Sequence, residues 1–146
     1  MATLQQSIVT FMFVAGDPAA SPGAYLPLVP VSMPDGVDAS CIHMPFAGTI
    51  VGIDVVGSPA SGDTVIVQPT IGNNKTFGAN TGVGSLTTTI TNAAPGAATI
   101  VGKDQTDAQF AAGQWVGVTY QTTTSSTYTA RDVMVTVYVS TGRTDI

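Results

Sequence analysis

Phe46-Ala47-Gly48-Thr49-Ile50-Val51-Gly52-Ile53-Asp54-Val55 decides the fold, because Phe110-Ala111-Ala112-Gly113-Gln114-Trp115-Val116-Gly117-Val118-Thr119-Tyr120 repeats its plan. Each stretch puts Phe, small residues and a turn Gly ahead of an alternating apolar run. After the glycine both read x, apolar, Val, Gly, apolar, x, apolar, which aligns Val51, Ile53 and Val55 with Val116, Val118 and Tyr120. A spacing of two sends those side chains to one face of a strand. The two copies lie further apart than a solenoid or propeller period and no third copy exists, so one strand type is used twice without a true repeat.

Working outward, residues 132–140 form the cleanest alternation in the chain, with Val133, Val135, Val137 and Val139 separated by Met134, Thr136 and Tyr138. Residues 7–15 are nearly continuously apolar, the pattern of a strand covered on both faces, by its own core and by a neighbour. Further strands are predicted over 39–44, 64–70, 86–90 and 98–101, bounded by Gly, Pro, Asn and Asp turns. Residues 24–33 carry Pro27 and Pro30 and read as extended, edge-like chain. The polar connection 102–108 suits a single helical turn. Val51, Ile53, Val55, Val65, Val67, Val116, Val118, Tyr120 and the four valines of the last strand are the predicted inner layer. Ile50, Trp115, Met134 and Tyr138 are expected to point outward. The reading is all-β: a single β-sandwich or jelly-roll domain of about eight strands over 7–142, an N-terminal arm over 1–6 and a C-terminal tail over 143–146.

Composition supports this class. The 146 residues suffice for one domain that buries roughly two-thirds of its unfolded surface. All nine acidic residues are Asp and Glu is absent, so good helix formers are scarce while Thr and Val abound. Charged residues make up only 9% of the chain, far below the roughly 25% of ordinary domains, so solubility rests on Thr, Ser, Asn and Gln. Such a surface suits a densely packed assembly. A net charge of -5 with four Lys and Arg argues against nucleic acid, which needs a basic footprint, and against anionic membranes. A single cysteine, Cys41, forms no internal disulfide, and no basic leader or spanning segment is visible, so synthesis in the cytoplasm is expected.

No chemical motif is complete. Cys41-Ile42-His43 spaces a thiol and an imidazole on one strand face, yet no other Cys or His exists to finish a zinc site, so a structural role is expected. Gly-x-Ser-x-Gly is absent, which leaves His43 without a nucleophile elbow. Asp35/Asp38 and Asp104/Asp107 have the spacing of turn and cap residues, and neither resembles a dense calcium loop. Residues 78–84 are Gly-rich but lack Gly-Lys-Ser/Thr and read as a flexible loop; Asn74-Lys75-Thr76 matches a glycosylation sequon by accident. No enzyme, cofactor or metal is predicted. Trp115, Tyr128 and Tyr138 are suited to packing in an interface.

Met44-Pro45-Phe46-Ala47-Gly48-Thr49-Ile50, Phe110-Ala111-Ala112-Gly113 and Asp132-Val133-Met134-Val135-Thr136-Val137-Tyr138-Val139 resemble small β-sandwich virion proteins of tailed bacteriophages. The resemblance spans about residues 40–142 and is one of strand and turn style. It implies a structural virion protein, a capsid decoration (cement) protein that binds the outer surface of the head as a homotrimer and stabilises the shell. The implied partner is the major capsid protein. The alternative from the same group is a receptor- or glycan-binding fibre module using Trp115, Tyr128 and the 122–127 loop. Capsid-contact candidates are Thr3, Leu4, Gln5 and Ile8, through strand addition to a capsid edge. Subunit-contact candidates are Trp115, Met134 and Tyr138.

Overall fold

The structure, a computed structural model, describes residues 4–15, 24–25, 41–59, 61–73, 80–122 and 131–144. Among the described residues eleven strands appear in chain order: β1 Leu4–Ala15, β2 Ala24–Tyr25, β3 Ile42–His43, β4 Gly48–Ser58, β5 Thr64–Gly72, β6 Thr81–Gly82, β7 Thr88–Thr91, β8 Gly96–Ile100, β9 Gln109–Phe110, β10 Trp115–Thr122 and β11 Arg131–Thr144. Single 3-10 turns precede β7 and β9, at Gly84–Leu86 and Thr106–Ala108. The second of these is the turn expected in 102–108.

All the pairings are antiparallel and build two sheets. The first runs β1-β11-β4-β8, with β9 also on β4; the second runs β2-β10-β5-β6, with β3 also on β10 and β7 also on β5. Short strands share an edge, so each sheet has four positions and the whole has the eight of a jelly roll. Along the chain, consecutive groups of strands alternate between the sheets, which makes nearly all pairing non-local. The inner faces meet in one core of Phe13, Ile50, Ile53, Val55, Val65, Val67, Leu86, Ile90, Val116, Val118 and the four β11 valines. Thr88 and Thr99 join the sheets inside this packing, Thr88 Oγ1 donating to the Leu86 carbonyl and lying 2.7 Å from Thr99 Oγ1, whose hydroxyl can donate to it.

β1 and β11 run longer than their apolar cores. Leu4, Gln5 and Gln6, expected in an arm, pair with Thr144, Arg143 and Gly142, the first two of which were expected in a tail. Backbone hydrogen bonding extends a ladder beyond the last apolar residue, and polar side chains leave no periodic trace of it. Part of the segment read as a Gly-rich loop is also ordered, Thr81–Gly82 pairing with Ile71 and Thr70.

One position of the inner layer is overturned. β11 and β4 lose register between Tyr138 and Val139: Tyr138 faces Gly52 and Val139 faces Ile50, so Val51 is an extra residue. A bulge reverses the alternation before it. Ile50, expected outside, is therefore fully buried, and Val51, expected inside, is only half-buried. The Tyr120 side chain lies outside the described residues.

The two Phe-Gly phrases prove to be partners and not equivalents. Gly113, at φ +87°, makes the left-handed turn before β10, whereas Gly48 is the first residue of β4. Phe110 is buried and pairs with Gly48 through β9, while Phe46 is 59% exposed. The Gly113 N–H donates to the Met44 carbonyl at 2.7 Å and the Met44 N–H to the Gln114 carbonyl at 2.8 Å. A Cβ on Gly48 would stand 2.7 Å from the Ser140 carbonyl oxygen and 2.8 Å from Phe110 Cζ.

Asp107 ties the two 3-10 turns. Its carboxylate accepts from the Ser85 backbone N–H at 2.9 Å, the Ser85 hydroxyl at 2.7 Å and Gln105 Nε2 at 2.8 Å. The Ser85 backbone bond foremost, then the Ser85 hydroxyl and Gln105, holds its pKa below the ordinary carboxylate value.

Gly48→Ala is expected to cost about 1–3 kcal/mol by overpacking, whereas Gly113→Ala, with nothing within 4 Å, costs about 1 kcal/mol from its backbone conformation alone; urea unfolding separates the two. Because folding depresses the Asp107 pKa, its stabilisation is present above the unfolded carboxylate range and is lost as pH falls through the folded value. Asp107→Asn is expected to melt below wild type at pH 7, the gap closing in strongly acidic buffer; a gap that widens on acidification contradicts this.

Candidate interaction face

Alternation sets which side chains the first sheet shows on its outer side. In β11 these are Met134, Thr136, Tyr138 and Ser140; in β1, Ile8, Thr10 and Met12; in β4, Asp54 and Val56; in β8, Ala98 and Ile100. Register arranges them in rows across four strands. Thr10, Tyr138, Gly52 and Ile100 form one row, and Met12, Thr136, Asp54 and Ala98 the next. Met134, Val56 and Gly96 lie in the third.

This face is apolar and open. Ile100 is 82% exposed and Ile8 64%, and Met12, Val56 and Met134 are also exposed. Of the seven large hydrophobic side chains exposed among the described residues, only Val9 and Phe46 lie elsewhere. A contiguous apolar surface of this kind marks an interaction site more often than a scatter of single residues does. β1, expected to be covered on both sides, has Phe13 in the core and its other face open.

Relief on the face comes from Gly52. Without a side chain it floors a depression of about 450 Å³ lined by Ile8, Val51, Asp54, Ala98, Ile100 and Tyr138. Tyr138 and Ile100 lean over the floor: a Cβ on Gly52 would lie 3.5 Å from Tyr138 Cδ2 and 3.7 Å from Ile100 Cγ1. Val51 reaches this depression because the bulge turned it outward. Asp54 is the one charged side chain among those described on the face, and it makes no hydrogen bond or ion pair among the described residues.

Of the residues singled out in the sequence, Ile8, Met134 and Tyr138 share this face. Trp115 does not: it lies on the outer side of the second sheet, its ring edge-on to His43 with centroids 4.9 Å apart. Cys41 is buried while His43 is exposed, so the expected shared face of thiol and imidazole is not formed. Leu4 and Gln5 are placed by backbone only, in β1. Thr3, Tyr128, Asp35, Asp38, the 74–76 sequon and loop residues 123–127 lie outside the described residues. Asp54, Val56, Ile100 and Met12 were missed. Asp54 had a local signal, since it separates inward Ile53 and Val55; only register brings it beside Ala98 and Thr136.

No family model and no curated protein matches the chain. Among solved structures, the chain is similar to one in the acidic stable capsid structure of Helicobacter pylori bacteriophage KHP30, over 92% of this chain and 93% of that one, with 11% identity and a TM-score of 0.46.

Proposed function

We propose that this is a non-enzymatic structural virion protein, a decoration protein seated on the outer surface of a tailed-phage head. The observation that carries the reading is the outer face of the β1-β11-β4-β8 sheet, where Ile8, Met12, Val56, Ile100 and Met134 are exposed together around a single charge. A chain with 9% charged residues that leaves such a face open is built to cover it with another protein. The strand and turn style shared with small phage virion sandwiches supplies the identity of that protein, the major capsid protein. Assembly as a trimer would make attachment multivalent, so that modest single contacts give effectively permanent binding. The shell is stabilised because each bound subunit favours the assembled lattice over free coat protein.

Heads stripped of this protein and mixed with it are expected to take it up stoichiometrically in co-sedimentation, with little affinity for unassembled coat protein; shells that stay bare overturn the reading. Ile100→Asp and Met134→Asp are expected to abolish uptake while altering folding stability by no more than about 0.5 kcal/mol, since both side chains are exposed. Full uptake by both variants would place the contact elsewhere.

A further inference from the structure

Asp54 stands inside the apolar face and not at its rim. Its row neighbours are Thr136 and Ala98, the row on one side holds Tyr138, Gly52 and Ile100, and the row on the other holds Met134 and Val56. A partner that covers Ile100 on one side and Val56 and Met134 on the other must also cover Asp54. The carboxylate would then lose water with no hydrogen bond from the described residues to replace it. Burying an uncompensated charge is strongly unfavourable, and its pairing with a cation across the interface is what makes such burial tolerable.

We propose that this depression is a docking site for a cationic side chain, an arginine flanked by apolar residues on a segment of a different protein. The depression of about 450 Å³ has the apolar walls an arginine stem packs against, Ile8, Ile100 and Tyr138, and a carboxylate to receive the guanidinium. Symmetric pairing of two copies through this face is disfavoured. With the two-fold axis near Asp54 it would oppose two carboxylates, with no described cation in their rows to separate them. The charge selects: a neutral or acidic segment of the same shape leaves Asp54 buried and unpaired, while an arginine placed against it both satisfies the carboxylate and tightens the right complex. This inference rests on the capsid reading only for which protein carries the arginine.

The probe is the peptide acetyl-Ser-Leu-Arg-Leu-Ser-amide, titrated into the 15N-labelled full chain, beside versions with citrulline or Glu in place of Arg. The Arg peptide is expected to give saturable amide shifts at Gly52, Asp54, Ala98, Ile100 and Tyr138, binding about fivefold tighter than the citrulline peptide, the upper range for an accessible ion pair. Asp54→Asn is expected to erase that preference, and Ala98→Lys, which sets a cation beside Asp54, to weaken the Arg peptide selectively. Both positions face outward, so amide spectra report directly that the fold is kept. Equal binding of Arg and citrulline peptides, shifts confined to another surface, or a preference that survives in Asp54→Asn overturns the proposal. On stripped heads, Asp54→Asn uptake equal to wild type overturns the arginine site and leaves the decoration reading standing. Wild-type protein that leaves heads bare, yet prefers the Arg peptide through Asp54, supports the site and removes the decoration reading.

Discussion

The alternation of Val133, Val135, Val137 and Val139 in β11 is the constraint on which the rest of the structure depends. β11 lies between β1 and β4, so its four fully buried valines set the inner face for both neighbours. Phe11 and Phe13 face inward because they pair with Val137 and Val135, and Ile53 and Val55 do so for the same reason. A slip of one residue on either side would carry the apolar set to solvent. Because the chain alternates between sheets, this register is settled by non-local contacts, which slows folding relative to local hairpins.

The bulge at Val51 is where that rule is broken, and the break shapes the outer surface. It lets Ile50 fill the core near Met44 and Phe110 while Val51 joins the lining of the depression. Gly52 next to it leaves the space between Tyr138 and Ile100 open. One inserted residue thus puts Ile50 into the core and Val51 into the lining of the outer depression.

The two outer surfaces differ in kind. The first sheet presents aliphatic side chains around Asp54, whereas the second presents the His43–Trp115 pair and Gln68, whose Nε2 donates to Thr87 Oγ1. A sparse set of charges makes each one informative. Asp107 is placed to join two turns through three hydrogen bonds, and Asp54 has none among the described residues, in the middle of an apolar surface. The first organises the fold, and the second stands on the surface beside Ala98 and Thr136.

Much of the sandwich was legible in local pattern. The valines of β11, Ile53 and Val55 of β4, Val65 and Val67 of β5, and Val116 and Val118 of β10 declare their inward face because period two is a property of the strand itself. The absence of Glu and the excess of Thr and Val make the class all-β before any pairing is known. What stayed hidden depends on partners distant in sequence. No local signal marks Val51 as bulged, since a bulge is defined by a mismatch with β11, and none shows that Leu4 to Gln6 continue the ladder, since their pairing is through backbone alone. The sequence by itself determined which residues alternate, and so the class and most of the core. Tertiary structure decided which outward residues become neighbours, gathering Ile8, Asp54, Ala98, Ile100 and Tyr138 from four strands while leaving Trp115 on the opposite side. Side-chain alternation is written within one strand, whereas adjacency on a sheet face is written in the register between strands.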